Sequence, residues 1–402
     1  MATRKDEQIE DPSVLDHDLA KHFPELLKFE STAAMEDSEL YPKIKPEVDR
    51  IMNAVVGEEF ADPPKDISSS IRAVAWNIER GSVFEGIVDA LRHDQRLRGD
   101  VFLFTELDYG MARSGNRFVA REIAQALKLN YAFAPVYIAL QKGSGVESAI
   151  EGENANSIHG LAVLSKYPIK NVQTVALPNG KDKMWGKEKR LGWLRALIAE
   201  IEHPLGTIRV VTVHLDAHCS REHRRLQMRL ILDRLKTLSP MPTLIGGDWN
   251  TTTFNSQSST RAIMGYWRRV LMGPKNVATN HLPHPERFFE RRLFKMLEDE
   301  GFDYKGLNQL GVGTLHYEIG SIEKNTNLRD WVPEWCFPFI FWAANRVGGK
   351  VSARLDWFAG KGIAKTPGTE PETVGGLTNE NDVPLSDHDA IALDFVIGHP
   401  TE

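Results

Sequence analysis

Cysteine is nearly missing from this 402-residue chain, which holds only Cys219 and Cys336. They can form one disulfide at most, so a disulfide framework is excluded and a reducing compartment fits best. Long apolar runs are missing too: no segment reaches the roughly 20 apolar residues of a membrane-spanning helix. The N-terminus, MATRKDEQIEDPSVLDHD, is charged, has no apolar centre and does not read as a secretory signal. A cytoplasmic protein is expected. Excess positive charge is the third absence, since 49 Lys and Arg stand against 55 Asp and Glu, a formal charge of −6. Non-specific grip on long duplex DNA relies on many basic residues, so the balance argues against that class but leaves room for a local basic patch. What is present is ordinary globular composition, 42% hydrophobic and 26% charged, enough for one large domain or two ordinary ones.

Residues 1–65 read as an N-terminal extension, with a polar first dozen expected to be disordered. LAKHFPELLKFE and YPKIKPEVDRIMNAVVGEEF then show helical spacing, and ADPPKDISSS reads as a linker or strand lead-in. From 66 to 400 the character changes. Short β-branched runs such as IRAVAWN, VFLFTEL, TIRVVTVHL, PTLIGGD, ARLDWFAG and DAIALDFVI alternate with helical stretches such as EGIVDALRH and SREHRRLQMRLILDRLKTL. Strands interleaved with helices predict an α/β protein. Two segments stand apart. GSGVESAIEGENANS, 143–157, is a polar loop able to move over a site, and WVPEWCFPFIFWAANR, 331–346, is crowded with aromatics. The second reads either as a buried helix and loop or as an apolar wall for a lipid-like partner.

The strand ends carry the chemistry. LIGGDWNTTT climbs through two glycines and then presents Asp248 and Asn250, two residues apart. If the strand runs on, both side chains look into one place; a plain turn explains the residues as well. Other strands end alike: Asn77 and Glu79, Glu106 and Asp108, then His214, Asp216 and His218. ARLDWFAG holds Asp356, read here as another strand terminus, while Asp387 and His388 stand just before the last strand. In α/β folds, ligands gather beyond strand ends on one edge of the sheet. Plentiful acids and scarce cysteine favour a hard divalent cation, Mg²⁺ or Mn²⁺, over structural zinc. His214 and His218 have a zinc-like spacing only on a helix, and their segment reads as strand.

WNIERG, FTELD, GLAVLSKYPI, VVTVHLD, GGDWN, RLDW and SDHDAIALDF, in that order, make residues 70–398 resemble the endonuclease/exonuclease/phosphatase superfamily. The resemblance implies a four-layer α/β sandwich of two mixed, mainly antiparallel sheets flanked by helices. It also implies Mg²⁺-dependent hydrolysis of phosphate esters, whether of nucleic acids, phospholipids or inositol phosphates. Motif by motif it implies Glu106 as the main metal ligand, with Asp387 and, more weakly, Glu79. It casts Asp248 as general base and Asn250 as its partner and a phosphate contact. It gives Asp356 the task of orienting His388, and brings His214 and Asn77 to the phosphate. Ser386 supports the SDH motif. Against these readings, Asn77 suits a loop-holding amide, Glu79 suits a solvated pair with Arg80, and Asp108, Asp216 and His218 suit supporting or surface places. Arg190 and Arg195 read as phosphate clamps or as solvated strand flanks.

The substrate is less legible. The net charge and the aromatic run suit a small or lipid-linked phosphate. STRAIMGYWRRVLMGPK, 259–275, mixes Arg261, Arg268, Arg269 and Lys275 with Tyr266 and Trp267, which suits a nuclease or a solvated helix. Oligomeric state is not written in the sequence.

Overall fold

Apolar residues fill nearly every position of the central strands, the pattern of strands buried on both faces. The computed structural model describes residues 9–62, 68–251, 255, 258–318 and 350–398, with residues 338, 342, 345, 346 and 348. Its strands are β1 (Val56–Glu58), β2 (Ile71–Arg80), β3 (Val101–Tyr109), β4 (Asn130–Ala139), β5 (Ile158–Ser165) and β6 (Ile169–Ala176). There follow β7 (Arg190–Leu191), β8 (Arg195–His203), β9 (Gly206–His214), β10 (Thr243–Asp248), β11 (Leu315–Glu318) and β12 (Lys350–Ala353). The last are β13 (Asp356–Lys361), β14 (Ile363–Lys365), β15 (Glu372–Val374) and β16 (Ala390–Ile397). One sheet runs β1-β4-β5-β3-β2-β16-β14, with β7 against β4 and β15 against β16, and the other runs β13-β10-β9-β8-β6. Strands β11 and β12 form a separate ribbon. Only β2–β3 and β9–β10 pair in parallel among the described strands.

Period-two alternation sets the layers. Ala73, Ala75 and Leu103 join Ala196, Ile198, Val211, Val213 and Ile245 in the core between the sheets. Their neighbours Val74, Trp76, Phe102 and Phe104 turn the other way, onto Ile87, Leu91 and Ile123 of helices Phe84–His93 and Val119–Leu127. Helices Arg221–Lys236 and Arg291–Asp299 cover the second sheet, where the Phe294 ring lies 4.6 Å from that of Trp357. Each Val, Leu, Ile or Phe side chain buried in this way contributes about 1.5–3 kcal/mol of transfer free energy. This is the four-layer α/β sandwich.

Two helical expectations hold only in part. The Tyr41–Asn53 helix stops because Val55 and Val56 are drawn into cores on opposite faces, which only extended backbone permits, and β1 joins the sheet beside β4. LAKHFPELLKFE yields only the 3-10 turn Leu19–His22 and the short helix Phe23–Leu26, because Pro24 has no N–H to continue an earlier helix. The early segment nevertheless braces loops of the sandwich. Lys189 Nζ donates to the carbonyls of Leu27 and Phe29 at 2.7 and 2.6 Å, and His17 Nε2 meets the Asn156 carbonyl at 2.7 Å. Arg195 is neither a phosphate clamp nor solvated: it is buried and holds the Met52 carbonyl and Thr174. Of the first dozen residues, expected to be disordered, residues 9–12 are placed, the Glu10 N–H donating to the Val55 carbonyl at 2.8 Å; residues 1–8, the centre of the linker at 63–67 and most of the aromatic run 331–346 lie outside the described residues.

The glycine pair before Asp248 has a steric cause. A Cβ on Gly246 would lie 2.7 Å from Leu103 of the facing sheet, and one on Gly247 would lie 2.3 Å from the Val213 carbonyl. Gly247 also has φ +128°, a region side chains disfavour. Gly247→Ala is expected to lower stability by about 2–4 kcal/mol, seen as a lower urea midpoint with an unchanged slope.

Candidate active site

Three strands put three side chains in a row. Asp248, the last residue of β10, is in register with His214 of β9 on one side and Asp356 of β13 on the other. In-register neighbours point to the same face. Asp356 opens β13 rather than ending it, and reaches this edge because β13 runs antiparallel to β10. Asn250 lies past the strand with φ +51°. Its N–H donates to Asp248 Oδ1 at 2.8 Å, and its Nδ2 donates to Asp248 Oδ2 at 3.1 Å and to the Leu215 carbonyl at 2.9 Å. The acid and amide do meet, but through an aspartate-capped turn and not through a continuing strand.

The first sheet delivers its groups by irregularity. The β2–β3 register shifts between Asn77 and Arg80, and the β3–β5 register shifts between Phe104 and Leu107. Glu79, Arg80 and Glu106 take positive φ of 43°, 68° and 57°. Such bulges re-aim side chains, so the expected two-residue alternation breaks. Asp108 points away from Glu106, into a buried pair with Arg113 and His159 at 2.7 Å each.

The sheets meet at Asn77, whose Nδ2 donates to Glu106 Oε1 at 3.1 Å and to Asp248 Oδ2 at 3.2 Å. His388 Nδ1 lies 2.8 Å from Asp356 Oδ2, which also accepts from Thr314 Oγ1 at 2.6 Å. The His388 ring also faces Asp248, Nε2 to Oδ2 at 3.8 Å. His214 Nε2 lies 3.5 Å from Asp248 and 3.9 Å from Glu106. Ser386 Oγ donates to the Asn77 carbonyl at 2.6 Å, and the Asp387 N–H donates to Glu79 Oε2 at 3.1 Å. Asn77, Glu79, Glu106, His214, Asp248, Asn250, Asp356, Asp387 and His388 thus converge at one end of the sandwich.

Charge is unevenly settled there. Burial and the Asp387 carboxylate push Glu79 up to about 7 against the pull of Arg80. Burial and Glu106 push Asp387 upward against the pull of His388. Burial alone would raise Glu106, but Arg80, His214 and His159 outweigh it and hold its carboxyl at about 2. Burial lifts Asp248 to about 6 although His388 and His214 oppose it. Burial would strip the proton from His388, yet Asp356 and Asp248 outweigh it and hold its pKa well above the ordinary imidazole value. Glu79, Glu106 and Asp387 are therefore half-buried carboxylates that feel one another's charge, the oxygen donors a hard divalent cation takes. Asp248, Asp356 and His388 also bring ligand-type atoms within 4.8 Å of one another, but hydrogen bonding accounts for that grouping.

The sequence pattern of the Endonuclease/Exonuclease/phosphatase family matches residues 74–388. The chain belongs to that family. It is a hydrolase of phosphate ester bonds, and the family depends on divalent metal. No curated protein matches it. Among solved structures it is similar to an endonuclease/exonuclease/phosphatase of Beutenbergia cavernae at 17% identity, over 82% of this chain and 72% of that one, with TM-score 0.46. It is similar to a 3'-5' exonuclease of Neisseria meningitidis at 13% identity, over 81% and 100%, with TM-score 0.45. It is also similar to the human Nocturnin catalytic domain at 12% identity, over 85% and 96%, with TM-score 0.42.

Several readings change in this light. Both amides assigned to phosphate, Asn77 and Asn250, spend their Nδ2 hydrogens on neighbouring oxygens, including those of Asp248. Glu79 is not a solvated partner of Arg80: it accepts from Asp387, and Arg80 pairs with Glu147 at 2.7 Å. Asp216 is buried and accepts from the N–H groups of Gly180 and His218 at 2.7 Å each. It sits near Cys219 and His223, whose ligand-type atoms lie within 4.8 Å of its own. Burial pushes the Cys219 thiol up to about 12, so it keeps its proton. Arg80, Glu147 and Thr314 were not foreseen. Only the loop around Glu147 was signalled, by its glycines.

The Asp248 carboxyl gives a stability test. In the folded protein it holds its proton to about 6, against 3.8 in an ordinary carboxyl, so raising pH through that window favours the unfolded chain. In metal-free buffer, Asp248→Asn is expected to gain stability relative to wild type between pH 4 and pH 7, by about 2–3 kcal/mol. Thermal unfolding at a series of pH values measures this; parallel curves would contradict it.

Proposed function

We propose that the protein is a Mg²⁺-dependent phosphoesterase, with Mn²⁺ as an alternative ion, acting on a small or lipid-linked phosphate. The observation that carries the reading is the Asp248 carboxylate, held by Asn77 and Asn250 and flanked by His214 and His388. Glu106, Asp387 and Glu79 would hold the ion, which when bound polarises a phosphoryl oxygen and offsets developing charge. Asp248 takes the proton of the attacking water, a task suited to a carboxyl at about 6 in neutral solution. Asn77 and Asn250 position that carboxylate. His388, kept cationic by Asp356, stabilises charge on the phosphoryl oxygens or protonates the leaving oxygen. His214 donates to the phosphate. Residues 1–65 are read as an extension that braces loops of a catalytic domain at 66–400, and the scarcity of cysteine supports a cytoplasmic setting.

A nuclease is the second reading. Residues 249–285 contain no acid while Arg261, Arg268, Arg269 and Lys275 fall there. Trp267 is exposed on the Ser259–Met272 helix among them, an arrangement suited to stacking bases beside phosphates.

Hydrolysis of bis-p-nitrophenyl phosphate, its mono-ester, plasmid DNA and a choline phospholipid, each with Mg²⁺, Mn²⁺ or EDTA, tests both readings. Turnover should require metal and fall about 10²–10⁴-fold in Asp248→Asn, the worth of a general base. The preferred member of the set chooses between the readings. No turnover together with no metal binding would sink both.

A further inference from the structure

Three guanidinium groups gather next to the acids. Arg113 grips Asp108 with two nitrogens, at 2.7 and 3.0 Å. Arg190 pairs with Glu188 and lies over the Tyr137 ring at 4.0 Å. Arg80 is different. Its ion pair is with Glu147 of the loop 143–157, and the same carboxylate touches Arg113 Nη1 at 3.3 Å. Glu147 sits in the 3-10 turn Gly145–Ala149. A Cβ at Gly143 would lie 2.3 Å from its Oε2, so glycine there is what lets the carboxylate fold back over the arginines. Arg80 is in register with Leu107, the residue after Glu106. A loop carboxylate is therefore clamped by two arginines directly beside the reacting centre. Arg113 keeps Asp108 and, at 3.4 Å, Glu188, but displacing Glu147 would take from the half-buried Arg80 its ion pair, a costly loss that recruits an anion in its place. Guanidinium groups accept phosphate in the geometry in which they accept carboxylate.

We propose that Arg80 and Arg113 form a second anion subsite, filled by Glu147 in the free protein, and that the preferred substrate carries a second phosphate near the one attacked. The inference rests on the reading of Glu106, Asp248 and His388 as the reacting centre.

Isothermal titration of the full chain tests it, in an Asp248→Asn background with Mg²⁺ so that ligand is not consumed. The probes are adenosine 3′,5′-bisphosphate and the two adenosine monophosphates. The bisphosphate should bind more tightly than either monophosphate, and Arg80→Met should erase that advantage. Glu147→Gln should tighten bisphosphate binding about tenfold, the scale of one charge-assisted contact, and more than it tightens either monophosphate. Glu147→Ala repeats the test without an amide able to bond, and circular dichroism confirms folding. Unchanged bisphosphate affinity in both Glu147 variants, or an advantage surviving Arg80→Met, would overturn the subsite. Ester hydrolysis by wild type without a bisphosphate preference would remove the subsite alone. A bisphosphate preference without any ester hydrolysis would remove the catalytic reading and leave the subsite standing.

Discussion

One amide nitrogen joins the two halves of this site. Nδ2 of Asn77 donates to Glu106 on its own sheet and to Asp248 on the other. A buried and a half-buried carboxylate from separate sheets repel each other and lose hydration, so without a shared donor their approach would be costly. The amide sits on β2, next to β3 in the sheet that carries Glu106, and opposite the end of β10. That geometry requires the sheets to approach closely at β10, and the bare face of Gly246, against Leu103 of the other sheet, permits it.

Around that amide the charges sort by function. Glu106 is kept ionised by Arg80 and two histidines, while burial and the Asp387 carboxylate push Glu79 toward neutrality and burial and Glu106 do the same to Asp387. Such a set is under-neutralised once all three acids ionise, and it has oxygen donors only. On the other side, Asp356 fixes the His388 ring through Nδ1 and leaves Nε2 facing Asp248. The site thus pairs an acid-rich side, suited to a cation, with a carboxyl beside a cationic imidazole, suited to water and phosphate.

Much of this was legible in the sequence. Apolar runs ending in acids, amides and histidines marked the strand ends, and all nine candidate residues lie at the converging edge. The physics behind that success is simple: buried strands are apolar, and polar groups appear where the chain must serve a ligand. What could not be read was the local backbone. Glu79, Arg80 and Glu106 adopt left-handed conformations without glycine, so no residue type announced the bulges that re-aim them. Arg80 follows Glu79 in sequence and was paired with it there, yet its partner is Glu147, chosen by packing between distant segments. The Val55–Val56 strand likewise hid inside a helical spacing, because only the two cores on either side of the sheet make extended backbone the better state.

Under the proposed function, Glu106, Asp387 and Glu79 hold a divalent cation while Asp248, Asp356 and His388 act on water and phosphate. Titration of the folded protein with Mn²⁺, followed by electron paramagnetic resonance, tests that division directly. Binding should be lost or greatly weakened in Glu106→Gln and Asp387→Asn, and should persist in Asp356→Asn and His388→Ala. Undiminished Mn²⁺ binding by Glu106→Gln, or its loss in His388→Ala alone, would contradict the account.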